Sequence, residues 1–399
     1  MMFRNDNHSS DDQNATAKTR RARRQREEIS QCISSRCLRA LRVFAVAFFF
    51  LFFAGGISRA ATDSAASPPP ARRSDRPIAN EITPQQQQAV ERGLEYLAAR
   101  QNAEGSFGSA GAYGATAAIT ALSGIAFMAD GNLPGRGKYG DNVKKAVDFI
   151  VRNQQESGLF TTSAFQGEMY SHGFATLFVG EVYGMTGDDQ IKENLQRGVR
   201  LIERCQNPEG GWRYQPAPVD ADISVTICQI MALRSARDAG IKTDAAVMER
   251  ALAYVKRCQN IDGGFSYQAS TGGESGFART AAGTASLYYA GKFEDNSITR
   301  GLNFLARFIP GRDQIDEQGG GGHFFYGQYY AVQAMFLAGG KYWTDWYPAI
   351  RELLLSRQNR AAGNWEGEVD PDYCTAMALI ILQMPNRYLP VFNGKGPGS

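Results

Sequence analysis

Five segments of the chain place apolar and small residues at three- and four-residue steps, and each of them ends on a glutamine. This spacing predicts an amphipathic helix with one buried face. The first four glutamines stand 53, 52 and 53 residues apart, and the fifth follows after 99, about two periods. They are Gln101, Gln154, Gln206, Gln259 and Gln358. We therefore expect six units between about Thr83 and Phe392, with the missing glutamine of the fifth unit near Ile309.

The residues before each glutamine repeat as well. Four positions earlier the chain is always apolar, at Leu97, Ile150, Ile202, Val255 and Leu354. Eight positions earlier the first four units have a small residue that follows a basic one: Arg92-Gly93, Lys145-Ala146, Arg197-Gly198 and Arg250-Ala251. Charges between apolar steps indicate that these helices are half exposed to solvent.

After the glutamine comes a glycine and then a large apolar or aromatic side chain. The glycines are Gly105, Gly158, Gly210, Gly263 and Gly363, and the anchors are Phe107, Phe160, Trp212, Phe265 and Trp365. A glycine at this place predicts a left-handed turn that ends the helix. We expect the glutamine side chain to bind backbone groups of the turn while the ring packs between adjacent units.

The second half of each unit is apolar or small on almost every side. The segments are Ala115 to Met128, His172 to Tyr183, Ile223 to Leu233, Thr280 to Ala290, Phe324 to Ala338 and Tyr373 to Met384, with Glu181 as the only charge. A helix that is apolar all round must be covered all round. Six helix pairs closed into a ring, with these helices inside, satisfy that requirement.

The repeat resembles the Gln-Trp repeat of squalene and oxidosqualene cyclases and of protein prenyltransferase β subunits. Arg197-Gly198, Ile202, Gln206, Gly210 and Trp212 carry the resemblance, which covers about three quarters of the chain. It implies an all-α fold, the (α/α)6 toroid, whose inner helices begin at one mouth of a central cavity where the family places its chemistry. Fold alone does not give function.

Polar and aromatic residues collect where the inner helices are expected to begin. Together with the anchor Trp212 they are the candidate ligand contacts: Tyr170, His172, Phe277, Arg279, His323, Phe324, Tyr326 and Tyr373. Polar groups above an apolar well are typical of a small-molecule pocket. The expected partner is therefore a hydrophobic small molecule or lipid.

The segment Asp220-Ala221-Asp222-Ile223-Ser224-Val225 resembles the DxDD-Thr-Ala segment of class II terpene cyclases, in which the middle Asp protonates an alkene or epoxide. The matching acid here is Asp222, with Asp220 beside it, but the last Asp of the pattern is replaced by Ile223. The alternative interpretation is a helix N-cap, because Asp before an apolar helix accepts a backbone N–H. The two roles are compatible.

A metal site is a further hypothesis. Prenyltransferase β subunits hold zinc with Asp, Cys and His at the starts of inner helices, and Asp372-Tyr373-Cys374 has the Asp-x-Cys form with His323 on the neighbouring helix. Mixed ligation of this kind suits Zn²⁺. In the family the His follows the pair, whereas here it precedes it. The alternative assigns Asp372 to an N-cap and Cys374 to the core, with no cofactor.

The N-terminal region differs from the rest in charge and composition. Residues 1–60 form a basic leader whose uncharged stretch, 43–57, indicates an export signal cleaved after Ala60 or an uncleaved membrane anchor. Residues 61–82 have the composition of a spacer, 83–392 form the toroid and 393–399 a tail. The toroid is therefore expected outside the cytoplasm, in the periplasm or another extracytoplasmic space, or tethered to the membrane.

Charge and cysteine content narrow the partners. The formal net charge is only +3 and is concentrated in the leader, which argues against nucleic-acid binding. Four cysteines follow the leader, at Cys205, Cys228, Cys258 and Cys374. Cys205 and Cys258 occupy equivalent places in successive repeats, about 8–10 Å apart on packed helices, too far for a disulfide. We expect free, buried thiols.

Two functions remain open from the sequence. The first is an enzyme that converts a polyisoprenoid: a terpene cyclase (an intramolecular transferase or isomerase), or a prenyltransferase-like transferase. The second is a non-catalytic toroid that binds a lipid or peptide, or presents its outer helices to a protein partner at the cell envelope. A deep aromatic-lined well ending at Asp222 favours catalysis, whereas a barrel filled by side chains favours the scaffold.

Overall fold

The computed structural model describes residues 81–108, 114–162, 167–311, 323–367 and 369–393. These residues contain twelve α-helices and short 3-10 turns. The helices are α1 (Pro84–Arg100), α2 (Ala117–Ala129), α3 (Gly140–Arg152), α4 (Glu168–Thr186), α5 (Asp189–Cys205), α6 (Ile223–Asp238), α7 (Ala245–Arg257), α8 (Phe277–Tyr289), α9 (Asn296–Leu305), α10 (Phe324–Ala338), α11 (Gly340–Arg357) and α12 (Pro371–Gln383).

The even-numbered helices form an inner ring. Each packs on the next in chain order, and α12 packs on α2, so that the ring is closed. The odd-numbered helices form an outer layer, and α11 contacts α1 across the junction between the last unit and the first. The inner helices are buried along almost their whole length, while the outer ones bury only one side. The expected all-α (α/α)6 toroid is therefore confirmed.

The repeated glutamines connect neighbouring units. In each of the five, Nε2 donates to the carbonyl of the glycine in its own turn and to a carbonyl of the next outer helix. For Gln206 these acceptors are the Gly210 and Val247 oxygens, each at 2.8 Å, and its Oε1 accepts from Arg250 Nε at 2.8 Å. The repeated arginine thus binds the glutamine of the preceding unit, at Arg92, Arg197, Arg250 and Arg300.

The glycine of each turn is required by its conformation and by its neighbour. Gly210 has φ of +99°, and a Cβ added to it would stand 2.3 Å from the Arg250 carbonyl oxygen. The four equivalent glycines have the same relationship to the next outer helix. In the fifth unit Ile309 takes φ −61° and ψ 124°, close to the −62° and 124° of Gln101. The backbone of the repeat is kept there without the amide.

The anchors are fixed by a side chain of the following inner helix. The backbone N–H of Phe107, Trp212, Phe265 and Trp365 donates to the hydroxyl of Thr120, Thr226, Thr280 and Thr375, respectively. In the second unit His172 replaces the threonine, and its Nδ1 accepts from Phe160 N at 3.1 Å. Trp212 also donates through Nε1 to the Ile202 carbonyl oxygen at 2.8 Å. The rings therefore hold together the units of the toroid.

Aromatic side chains fill the ring beneath its mouth. Phe174 on α4 and Tyr329 on α10 meet at 6.3 Å between ring centroids, although these helices lie on opposite sides of the ring. Both side chains are almost completely buried. At the far end the 3-10 turn Pro390–Asn393 packs on α6 and α10, and Phe392 contacts Tyr329 at 6.5 Å. The barrel is thus filled at these levels.

Several expectations concern residues outside the described ranges. These are the leader 1–60, most of the spacer, residues 312–322 of the fifth unit and all but the first residue of the tail. The described part of the chain has no helix that is both long and apolar enough to span a bilayer. The four cysteines within it are buried and form no disulfide, as expected.

Candidate functional site

Asp222 stands at the mouth of the ring, directly before α6. It is fully buried and acts as the N-cap of the helix. Its Oδ1 accepts from the backbone N–H groups of Ser224 and Val225, each at 2.9 Å, and from the Ser224 hydroxyl at 2.6 Å. The sequence predicts this local structure, because Asp precedes an apolar helix that carries Ser two positions later. Capping uses Oδ1 and leaves Oδ2 facing the turns that lead into α6 and α8.

The second oxygen of Asp222 is reached by two side chains from the turns that lead into α6 and α8. Oδ2 accepts from the Tyr267 hydroxyl at 3.1 Å and lies 3.6 Å from Arg213 Nε. Tyr267 in turn shares a hydrogen bond with the Tyr214 hydroxyl. A chain of hydroxyl groups therefore runs from the buried carboxyl group to Tyr214, whose ring is half exposed.

Two opposing effects act on Asp222. Burial raises the pKa of its carboxyl group, and hydrogen bonds from Ser224, Val225 and Tyr267 lower it, with burial the larger effect. The pKa of Tyr267 is raised by burial and by the neighbouring Asp222 charge, so its hydroxyl keeps its proton. The carboxyl group is thus easier to protonate than an exposed aspartate, and its Tyr267 neighbour is neutral.

Asp220 lies at the exposed edge of this network. Its side chain is about half exposed and forms an ion pair with Arg213, which also reaches Asp222. The guanidinium carbon of Arg213 lies 5.2 Å from the centroid of the Tyr214 ring. Arg213 thus joins the two carboxylates to the aromatic surface of the mouth.

A second group of tyrosines stands on the inner side of Asp222. Tyr170 donates to Ser224 Oγ at 2.7 Å, and Tyr326 donates to the Ser224 carbonyl oxygen at 3.0 Å. Tyr170 also packs on Tyr214 at 6.0 Å between ring centroids. Below them Cys228 Sγ lies 3.3 Å from the Tyr330 hydroxyl. Burial raises the pKa of the Cys228 thiol to about 12, which keeps it a neutral core residue.

The other candidate contacts are distributed differently. His172 faces the outer layer: it is fully buried, its ring stacks on Phe160, and its Nε2 lies 3.1 Å from the Gly198 carbonyl oxygen. Phe277 is buried and stacks on Trp346 at 6.0 Å. Trp212 is an anchor between units. Arg279, Phe324 and Tyr373 are half-buried, and His323 is exposed.

Sequence reasoning missed Arg213, Tyr214, Ser224 and Tyr267. A signal for the two tyrosines is present in the repeat itself. Tyr214 and Tyr267 each stand two positions after an anchor, Trp212 and Phe265, and so occupy equivalent places in successive units. Equivalent turns at one mouth bring their side chains together.

The expected zinc ligands do not form a ligand set. Asp372 is fully buried, accepts from the backbone N–H of Gly108 at 3.0 Å and pairs with Arg100 Nε at 3.4 Å. Cys374 is buried in the core, whereas His323 is exposed at the start of α10. Across the residues that the structure describes, no three His, Cys, Asp or Glu side chains are placed to hold one metal ion. Asp372 instead joins the last unit to the first.

Comparison with known proteins agrees with this architecture. Drimenyl diphosphate synthase of Streptomyces showdoensis is 27% identical over 184 residues, which are 44% of this chain and 32% of that protein. The matched region therefore spans about a third of the relative.

Two solved structures share the fold. The type II terpene cyclase MstE from Scytonema superposes with a TM-score of 0.57 at 15% identity, covering 76% of this chain and 99% of that one. An α-1,6-mannanase of Salegentibacter sp. HEL1_6 gives 0.57 at 13% identity, covering 75% and 99%. Because one fold hosts both chemistries, these structures support the architecture alone. The model of the prenyltransferase alpha-alpha toroid domain matches residues 122–323, about half of the chain. The chain belongs to the prenyltransferase alpha-alpha toroid domain family.

Proposed function

We propose that the protein binds a prenyl-type hydrophobic ligand at the mouth around Asp222 and that Asp222 protonates it. The observation that carries the proposal is the buried Asp222 carboxyl group, joined through hydroxyl groups to the half-exposed rings of Tyr214 and Tyr170. An apolar ligand with a weakly basic double bond needs both features: a carboxylic acid shielded from water and aromatic faces beside it.

The proposed chemistry is an acid-initiated rearrangement. The O–H bond of protonated Asp222 breaks as the π electrons of an alkene form a new C–H bond, which leaves a carbocation on the ligand and a carboxylate on the protein. The faces of Tyr170 and Tyr214 stabilise the cation, and the Asp222 carboxylate then takes a proton from a carbon next to the cation, whose C–H electrons form the new double bond and restore the protonated acid. The net change is an isomerisation, so no second substrate is consumed.

The filled barrel limits where the ligand sits. Because Phe174 and Tyr329 meet across the ring, the ligand is held at the mouth between the turn residues rather than in a deep well. We therefore expect the reacting double bond near Tyr267 and the rest of the ligand along the half-exposed aromatic side chains. This favours a short or partly exposed prenyl chain.

A non-catalytic binding protein is the second candidate. Within the described residues, the polar groups that reach the Asp222 carboxyl group are hydrogen-bond donors or a cation, which is the environment of an ionised carboxylate cap. The filled barrel also fits a toroid that only binds its ligand or presents its surface to a partner. In that case ligand binding occurs without turnover.

We also propose that the protein acts outside the cytoplasm, either released after Ala60 or anchored by residues 43–57. The basic leader followed by an uncharged stretch supports this. N-terminal sequencing of the mature protein from fractionated cells tests the proposal. A protein that keeps its leader and stays in the soluble cytoplasmic fraction contradicts it.

The function is tested with purified protein and a panel of prenyl alcohols, prenyl diphosphates and squalene, with product analysis by mass spectrometry. We expect wild-type protein to bind and isomerise at least one of them and Asp222→Asn to bind without turnover. Asp370→Asn is the matched control, since Asp370 is a buried N-cap of α12 whose pKa is also raised by burial.

The outcomes separate the two candidates. Binding without turnover by wild-type protein assigns the second candidate function. Absence of both binding and turnover across the panel overturns the proposal, as does equal turnover by wild-type protein and Asp222→Asn.

A further inference from the structure

A cavity of about 330 Å³ opens at the end of the toroid opposite to the mouth. It lies between the first turns of α1 and the C-terminal ends of α2 and α12. Its lining carries the amides of Gln86 and Gln383, the carboxylates of Glu91 and Asp130, the Lys138 ammonium group and the rings of Tyr139 and Tyr388. None of them belongs to the site around Asp222, so the cavity is a separate feature of the molecule.

Two buried amide groups in this cavity have oxygens without a partner. Gln86 and Gln383 are 2% and 3% exposed, and Oε1 of each lacks a hydrogen-bond partner in the described structure. The orientation of both amides is fixed, because Gln86 Nε2 donates to the Leu382 carbonyl oxygen at 2.6 Å and Gln383 Nε2 to that of Ala126 at 3.0 Å. A buried carbonyl oxygen without a donor is unfavourable. The cavity therefore favours a ligand that supplies N–H or O–H groups.

The charges around the cavity favour a cation. Glu91 and Asp130 are its two carboxylates, and Lys138 is paired with Glu95 at 3.2 Å and with Glu91 at 3.8 Å. Among the described residues, the Asp130 side chain accepts a hydrogen bond from the Asn132 amide at 3.1 Å. Asp130 is an exposed residue, but partial desolvation of its carboxyl group raises its pKa although Asn132 and Lys138 lower it, so a further cation nearby would stabilise its ionised form.

The ends of two helices add to the preference of the cavity for a cation. Asp130 is the C-cap of α2 and Gln383 is the last residue of α12, and the C-terminal end of a helix carries partial negative charge. The rings of Tyr139 and Tyr388 offer aromatic surface, while Ile82, Val90 and Leu94 give the cavity an apolar wall. A ligand that fits has ammonium groups and an aliphatic body.

We propose that this cavity is a binding site for a short linear alkyl diamine. One ammonium group donates to the unpaired oxygens of Gln86 and Gln383, the methylene groups lie against Val90 and Leu94, and the second ammonium group pairs with Asp130 and Glu91. The site is independent of the function proposed for the mouth.

The proposal is tested by isothermal titration calorimetry of the full chain with 1,4-diaminobutane and 1,5-diaminopentane. We expect saturable binding of one molecule per chain, and no binding of 1,4-butanediol, which has the same length without charge. Asp130→Asn is expected to weaken binding by about tenfold or more, because a charge-assisted hydrogen bond is lost. Asp148→Asn is the matched control, since Asp148 pairs with Lys144 on the exposed surface of α3.

Three results would overturn the proposal. They are no binding by wild-type protein at about 10 mM diamine, a concentration that detects even a weak site, equal binding of the diol, and equal binding by Asp130→Asn and wild-type protein. If Asp130→Asn does not fold, Glu91→Gln replaces it, since the Glu91 side chain is 64% exposed. An unchanged affinity for that variant then overturns the pairing with the carboxylates.

Discussion

Gln358 and Ala89 are joined by a hydrogen bond of 2.8 Å although 269 positions separate them in the chain. The Gln358 amide also donates to the Gly363 carbonyl oxygen, and its Oε1 accepts from Arg92 at 2.7 Å. These are the same contacts that the other glutamines make to the following unit. The last unit is therefore joined to the first by the same hydrogen bonds that join consecutive units, and Asp372 adds its contacts to Arg100 and Gly108 at this junction.

The first prediction concerns this closure. Gln358→Leu and Gln154→Leu remove equivalent hydrogen bonds, so each is expected to lower the free energy of unfolding by about 2–4 kcal/mol, because two backbone carbonyls lose their donor. The two variants should differ in local stability. Gln358 joins α11 to α1, which come from opposite ends of the folded chain, whereas Gln154 joins α3 to α5, which are separated along the chain by α4 alone.

Hydrogen exchange measured by mass spectrometry distinguishes the two variants. We expect faster exchange in α1 and α11 for Gln358→Leu and no such change for Gln154→Leu. Equal exchange in α1 and α11 for both variants would show that helix packing alone closes the ring.

The second prediction concerns the turn glycines. Gly210→Ala places a Cβ against the Arg250 carbonyl oxygen in a backbone with φ of +99°, and we expect a loss of about 3–5 kcal/mol of stability. Gly135 is the control, because its φ is +70° but no atom lies within 4 Å of an added Cβ. Gly135→Ala should lower the free energy of unfolding only by the cost of a non-glycine residue at positive φ, roughly 1–2 kcal/mol. Equal losses in urea denaturation would mean that the close approach to the next unit is unimportant.

The sequence predicted the toroid because the contacts between units are made by a short motif that repeats along the chain. Gln206, Gly210 and Trp212 lie within seven positions, and the same spacing returns in three other units and, with one extra residue, in the sixth. Even the fifth unit was placed correctly, since Ile309 keeps the backbone conformation of the glutamine position. A short motif that repeats with a fixed period makes both the helix end and its neighbour predictable.

The candidate site was harder to predict because it depends on contacts between units. Asp222 was proposed from its position before an apolar helix and from the resemblance of its segment to the DxDD segment, but its partner Tyr267 comes from the next unit, 45 positions away. His172 was expected at the mouth because it begins an apolar segment. It faces the outer layer instead, since α4 begins at Glu168 and the fifth residue of the helix points toward Phe160 and Gly198. Because successive residues of a helix are rotated by about 100°, a shift of one or two positions decides which face a residue occupies.

The third prediction concerns His172→Thr, which introduces the residue used by four other units. Burial lowers the pKa of His172 to about 4. Between pH 6.5 and 4 the unfolded chain binds a proton at this site and the folded chain does not, so the folded state loses stability as the pH falls. The loss amounts to about 3 kcal/mol over this range. We expect His172→Thr to remove it, so the variant gains stability relative to wild-type protein in acid.

Urea denaturation at pH 4.5 and pH 8 measures the effect. The difference in unfolding free energy between the variant and wild-type protein should change with pH, whatever its value at pH 8. A difference that stays constant would mean that folded His172 takes up a proton as readily as the unfolded chain.

The fourth prediction concerns Glu181, whose carboxyl group is buried beneath the 3-10 turn Pro390–Asn393 at the far end of the barrel. Burial raises its pKa to about 7, although Ser235 and the backbone N–H of Val391 donate to it and lower the pKa. Asp238 also raises the pKa, whereas Arg234 lowers it. Between pH 4.5 and pH 7 the folded chain keeps a proton here that the unfolded chain has released, so stability falls as the pH rises, by about 3 kcal/mol over the range.

This pH dependence is opposite in sign to that of His172, and the two nearly cancel in wild-type protein between pH 4.5 and 6.5. Glu181→Gln removes only the Glu181 slope. We therefore expect the variant to gain about 3 kcal/mol relative to wild-type protein between pH 4.5 and pH 8, and the double variant with His172→Thr to lack both contributions to the pH dependence. If Glu181→Gln instead loses stability relative to wild-type protein as the pH rises, the surroundings of Glu181 stabilise its ionised carboxylate rather than its protonated form.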